Sequence, residues 1–190
     1  MSSKPDVVIA AAHTINKQRR RNLRVYQREL IERTHEARAA HGQQRSRLAI
    51  QAGNEKFLID LTQVSEVMSL SGMTAVPLTK AWFMGLTQCR GNLVGVVDLA
   101  GFLGKAVDVP VKSDRLLIFA GDLALHCAIR VTRVLGLIDI SAMTCQPLQA
   151  SAPDWASRHY IDDDGCGWTE LDLASLAQAP AFLDVSYKTI

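Results

Sequence analysis

Hydrophobic and polar positions change rhythm once along the chain, near Arg45. Before that point, Leu23, Tyr26 and Leu30 recur at helical spacing and share one side, which Ala37 continues. The segment lacks Gly and Pro, is rich in Arg, Glu and Ala, and meets Gly42, so the spacing predicts a helix from Asn22 to His41. Glu29 and Arg33 stand in the favourable order for an i,i+4 pair. The stripe is narrow, which predicts a helix laid on a surface rather than threaded through a core.

After Arg45 the period falls to two. Leu48, Ile50 and Ala52 alternate, meet the turn signal Gly53-Asn54, and give way to Phe57-Leu58-Ile59. That pattern predicts a hairpin. A second one is predicted from Arg115-Leu116-Leu117-Ile118 through Ala120-Gly121-Asp122 to a strand over Leu125–Ile129. Written out, RLAIQAGN from Arg47 and RLLIFAGD from Arg115 read as two copies of one unit. Their ends match as well. Val97-Asp98-Leu99-Ala100 closes the first copy and Leu171-Asp172-Leu173-Ala174 the second. A repeat of this length predicts two similar subdomains of short strands, about five in each, joined by tight turns into small closed barrels. A unit that small has little core of its own, so the two are expected to share apolar surface.

Composition narrows the function classes. The chain has 190 residues, 48% of them hydrophobic, enough for a packed core. The apolar run Val7–Ala12 is too short for a signal-peptide core, and no stretch approaches the ~20 apolar residues of a membrane span. The expectation is a cytoplasmic protein without membrane insertion. Cys89, Cys127, Cys145 and Cys166 form no C-x-x-C pair, which argues against a zinc ribbon or a thioredoxin-type site. Charge is uneven. Lys17 to Arg47 holds ten basic and three acidic residues, a balance of +7, whereas Leu48 to Ile190 holds ten basic and fifteen acidic, a balance of −5.

Motifs for chemistry are few. His13, His35, His41, His126 and His159 have no metal-ligand spacing to one another or to a cysteine. His126 reads as a hydrogen-bonded structural histidine in an apolar strand. Asp162-Asp163-Asp164-Gly165 lacks the alternating ligands and closing Glu of a calcium loop and reads as a solvated turn before a strand at Trp168. No nucleophile elbow, P-loop or complete dinucleotide fingerprint occurs. Two rival readings stay open beside an interaction module. One is nucleic-acid binding through the basic arm; the other is a small hydrolase with an unrecognised site.

The body resembles a known family. Phe57 to Val67 (FLIDLTQVSEV), then Val76-Pro77, Trp82-Phe83-Met84-Gly85-Leu86, Cys89-Arg90-Gly91, Val96-Val97-Asp98-Leu99, and later Arg115 to Ile118, Val131, Val134 and Leu171-Asp172-Leu173 follow one another as in the CheW family of bacterial chemosensory coupling proteins. The stretch from Pro77 to Gly104 is similar to PilI-type members, which serve the system governing type IV pili and twitching motility. The resemblance spans Arg47 to Val185. Cys89 departs from the branched aliphatic residue usual before Arg-Gly.

That resemblance implies a mostly β fold of two intertwined SH3-like five-stranded barrels with short helices over residues 46–190, with repeats starting near 47 and 115, preceded by a basic helical arm over 1–45. It implies a non-catalytic adaptor with no cofactor. Its partners would be a CheA-type histidine kinase and the cytoplasmic tip of a methyl-accepting chemoreceptor, at membrane-associated arrays, with no nucleic acid. The partner-binding residues it implies are Val64, Glu66, Val67, Gly85, Arg90, Gly91 and Val131, with Glu66 and Arg90 expected to form an ion pair.

Overall fold

The computed structural model describes residues 45–106, 109–148 and 151–187. The helix expected over 22–41, its Glu29–Arg33 pair, most of the basic run, and His13, His35 and His41 lie outside the described residues. Among the described residues, alternating and continuous apolar runs become eleven strands: β1 Ser46–Ala52, β2 Glu55–Ile59, β3 Val64–Ser69, β4 Phe83–Cys89, β5 Asn92–Asp98, β6 Arg115–Phe119, β7 Cys127–Val131, β8 Arg133–Asp139, β9 Thr144–Gln146, β10 Ala156–Ile161 and β11 Gly167–Leu171. Among the described residues, three short helices, α1 Leu99–Phe102, α2 Leu173–Gln178 and α3 Pro180–Leu183, follow the strands that close each repeat. The matching aspartates explain where two of them start. Asp98 accepts the Gly101 N–H at 2.6 Å and Asp172 accepts the Ala174 N–H at 3.0 Å, each capping its helix.

The strands form two sheets, one six-stranded in the order β8-β1-β2-β11-β10-β9 and one five-stranded in the order β3-β6-β7-β5-β4. Neither is built from one repeat. β1 and β2 pair with β8 and β11 of the second repeat, while β6 and β7 pair with β3 and β5 of the first. Each repeat therefore contributes its opening hairpin to one sheet and its later strands to the other. β9, against β10, is the sixth strand that the expected five did not include.

The repeat is real, but its apparent alignment is one residue out. Matching Arg47 to Arg115 would make Leu48 the counterpart of Leu116. In the fold, Leu48 pairs with Ile59 and Leu117 pairs with Ile129, and these four face one shared core, whereas Leu116 faces the other side of its sheet. Leu48 is thus the counterpart of Leu117. A one-residue slip exchanges the two faces of a strand, and strands buried on both faces carry no alternation to reveal it.

Three apolar clusters result. The shared one takes Leu48, Ile50, Ile59 and Leu171 from the six-stranded sheet and Val97, Leu117 and Ile129 from the other. Val94, Val96, Leu116 and Ala128 form the five-stranded sheet's own core, and Ala49, Leu58, Tyr160 and Trp168 that of its neighbour. A fully buried Leu or Ile contributes about 1.5–3 kcal/mol, so the shared cluster dominates cohesion. A buried ionic triad pins the five-stranded sheet as well. Arg130 on β7 meets Asp98 at 2.7 Å and Asp114, just before β6, at 2.7 Å.

Candidate functional site

β3 and β4 are the two edges of the five-stranded sheet, yet a polar contact joins them. Arg90 Nε lies 2.7 Å from Glu66 Oε2, so the sheet curls until its edges meet. Arg90 sits in the two-residue turn between β4 and β5. Its φ is +49° and that of Gly91 is +87°, both positive as the tight hairpin turn of right-handed twist requires. Gly91 takes that conformation at no steric cost; Arg90 does not. On β4, Gly85 serves a different need. With φ at +125°, a Cβ there would collide with the Thr74 carbonyl, which pairs with Leu86 across a single bridge.

The electrostatics favour a fixed carboxylate. The Cys89 Sγ lies 3.8 Å from the same Glu66 oxygen. Burial first, and the Glu66 charge second, push the Cys89 thiol up, so it remains a donor to Glu66. Cys127 is buried too, and desolvation raises its thiol to about 12. Arg90 projects outward with its side chain 76% exposed, against 32% for Glu66. Its Nε is held while the two terminal nitrogens have no partner among the described residues.

The remaining expected site residues separate. Val67 is exposed on β3, and Val64 is half-buried against the shared core. Val131 is 1% exposed and enclosed in that core. Sequence reading passed over Leu135 and Leu137 nearby, 43% and 60% exposed on the edge strand β8. The repeat could have found Leu137 had its register been right. Val67 pairs with Leu117 and Leu137 with Leu48, so Val67 and Leu137 are counterparts. A bulge sits at matching points too, between Val64 and Glu66 on one edge and opposite Ala49 and Ile50 on the other.

The structure corrects the reading of His126. It lies ahead of β7, is exposed, and contributes its backbone carbonyl to the Gly95 N–H rather than a buried ring. The acidic run is the solvated turn before β11. Asp162 accepts from the backbone of Asp164 and Cys166 and from the Trp168 indole at 2.8 Å, and that indole bond above all holds its carboxyl below the usual range.

Residues 47–181 match the CheW-like domain. The chain belongs to the CheW-like family. Over 145 residues it is 27% identical to protein PilI of Pseudomonas aeruginosa, covering 74% of this chain and 80% of that one. It is also 25% identical over 112 residues to chemotaxis protein CheW of Rhizobium meliloti, covering 58% and 71%. Among solved structures, the scaffolding protein TtCheW of Thermoanaerobacter tengcongensis superimposes with a TM-score of 0.60 at 19% identity, over 77% of this chain and 92% of that one, a likeness of fold.

Membership explains why the polar groups of this CheW-like chain are spent on structure. Arg47 binds the nearly buried Glu170 at 2.6 Å, Gln63 binds Asp172 at 2.7 Å, and Asp172 takes further bonds from Ser175 and the α2 backbone. Burial opposes ionisation of Asp172, but those bonds together outweigh it and lower its carboxyl. CheW-like scaffolds are non-catalytic, and this one is not an enzyme. No helix among the described residues is long and apolar enough to cross a membrane.

Proposed function

We propose that this CheW-like protein is an adaptor joining the cytoplasmic tip of a methyl-accepting chemoreceptor to a CheA-type histidine kinase, in a chemosensory system governing type IV pili. It works by geometry in the cytoplasm, at membrane-associated receptor arrays. Each sheet, with its own core, serves as an SH3-like barrel within the domain 46–190, and residues 1–45 form an appended basic arm. The observation that carries the reading is the outward-facing Glu66–Arg90 pair, set at the seam of the curled sheet in a chain similar to PilI. Val67 is exposed on the same edge strand, and its counterpart Leu137 is exposed on the edge strand β8. Exposed apolar residues on edge strands are the kind of surface on which an amphipathic helix docks.

The test is binding of the purified protein to a receptor-tip fragment and to the kinase. Both are expected to bind; binding of neither at roughly tens of micromolar removes the adaptor reading. An ion pair this exposed contributes about 0.2–1 kcal/mol at most to folding. Arg90→Ala is therefore expected to weaken partner binding while shifting the melting temperature only slightly. A variant that binds both partners as wild type does would remove Arg90 from the interface.

A further inference from the structure

Beyond α2 the chain turns back and lies against the loop that leads into β4. Ala179 is the joint. It ends α2 and starts α3, is extended at φ −66° and ψ 122°, and precedes Pro180, which holds it so. From Pro180 to Tyr187 a single side chain is buried, that of Phe182 at 2% exposure. Its ring enters a cage of aromatic neighbours. It stacks on Trp82 and Phe119 at 6.4 and 6.1 Å and meets Phe102 edge-on at 5.2 Å. Polar ties near the surface complete the attachment. The Lys80 N–H donates to the Val185 carbonyl and the Tyr187 N–H to the Leu78 carbonyl, each at 2.9 Å. Lys80 Nζ lies 3.2 Å from the Asp184 carboxylate. One of these partners is strained: Leu78 has φ +58° and is 76% exposed, so burial offers nothing to offset its left-handed backbone.

We propose that residues 179–187 are a hinged latch, closed in this structure, that opens as one unit about Ala179 while both sheets stay folded. Phe182 is its bolt and the Lys80–Asp184 pair its clasp. Opening exposes one ring and a few bonds already near water, whereas opening either sheet would expose a whole core. Segments with so few buried contacts open far below the free energy of global unfolding. Leu78 adds a bias toward release, because its backbone relaxes once the Tyr187 bond is gone. The opened latch bares an aromatic slot between Trp82, Phe102 and Phe119. It also frees the Leu78–Lys80 loop at the start of β4, the end of that strand remote from Arg90. The latch thus governs two things together: whether the slot is filled, and how firmly the entry to an edge strand is held.

Native-state hydrogen exchange on the full chain tests the latch, with Lys80→Ala, Phe182→Ala and Leu78→Gly beside the wild type. In the wild type, the amides of Lys80, Leu183, Asp184 and Tyr187 are expected to exchange through one shared opening. That opening is expected roughly a hundredfold or more above those of the core strands β2 and β6. Phe182→Ala is expected to raise it about tenfold or more, the weight of one buried ring. Lys80→Ala is expected to raise it about two- to fivefold, the weight of an exposed ion pair. Leu78→Gly acts in the opposite direction. Glycine takes the positive φ without strain, so the shared opening is expected to fall about two- to fivefold. In all three variants β2 and β6 are expected to exchange as in wild type. Exchange that grades from slow at Leu183 to fast at Tyr187, with Lys80 unaffected, would show a fraying end and overturn the latch. Latch amides that exchange only together with β2 and β6 would overturn it as well. So would a Phe182→Ala that speeds β2 and β6 by the same factor, since the ring would then be a pillar of the core. Should Phe182→Ala fail to fold, the opposite shifts of Lys80→Ala and Leu78→Gly decide; no shift in either refutes the proposal.

Discussion

Arg90 carries its charge on a backbone that resists it. A residue with a Cβ at φ +49° costs about 1–2 kcal/mol relative to an ordinary conformation, and Asn meets that cost better than any other side chain. Arg90→Asn therefore exchanges the exposed ion pair for a relaxed turn, two changes of similar size and opposite sign. Its melting temperature is expected to stay within about 4 °C of wild type, while binding falls as it does for Arg90→Ala. Differential scanning calorimetry beside a binding titration reads this directly; a melt lowered well beyond that margin would make the pair part of the fold. The Glu66–Arg90 contact was legible from the family pattern alone, because the turn needs Gly91 and the fork needs a carboxylate. The burial of Val131 was not, since Val131, Val134, Leu135 and Leu137 are equally apolar on paper, yet Val131 lies in the shared core, Val134 packs against it and Leu135 and Leu137 are exposed.

Among the elements, the two edge strands β3 and β8 share one device. A bulge in each pairing breaks the regular ladder at the margin of a sheet, which discourages edge-to-edge association with another chain and turns Val67 and Leu137 outward. The hairpins could be read from alternation and turn residues, and their strands appear where expected to within two residues. Register could not. β6 and β7 are buried on both faces, so their sequences fit either orientation, and the match of Arg47 with Arg115 is as acceptable on paper as the true one. What holds β7 between β5 and β6 is partly ionic, through Arg130 with Asp98 and Asp114. Arg130→Met would leave two buried carboxylates without their cation. Such a loss costs about 3–5 kcal/mol, so chemical denaturation should show a large fall in midpoint with the cooperative transition retained. A change under about 1 kcal/mol would mean that the strands hold without the triad.

At the scale of the whole molecule, fold class and internal duplication were visible in the pattern of short strands, turns and matching ends. The exchange between the repeats was not derivable from it, because which strand pairs with which across such distances is fixed by the shared core rather than by local residues. The exchange has a measurable consequence. Chains ending at residue 108 and starting at residue 109 divide the repeats in the connection between α1 and β6, and each piece keeps hairpins that lack their sheet neighbours. Neither piece is expected to unfold cooperatively alone, and mixing them should restore one transition, followed by circular dichroism. A first piece that folds by itself would show that its strands are self-sufficient.

The same exchange sets a timetable for synthesis. β1 and β2 leave the ribosome early, but Leu48 waits for Leu137, and Ile59 for Leu171, before either has its neighbour in the sheet. Until the last strand emerges, the nascent chain holds an unfinished sheet with Ile50, Phe57 and Ile59 open to other apolar surfaces. Pairings so distant in sequence also slow folding after release, since a long loop must close before any contact rewards it. A protein that ends as two sheets sharing one core thus begins as a chain whose unpaired strand edges and apolar faces are open to aggregation until β11 arrives.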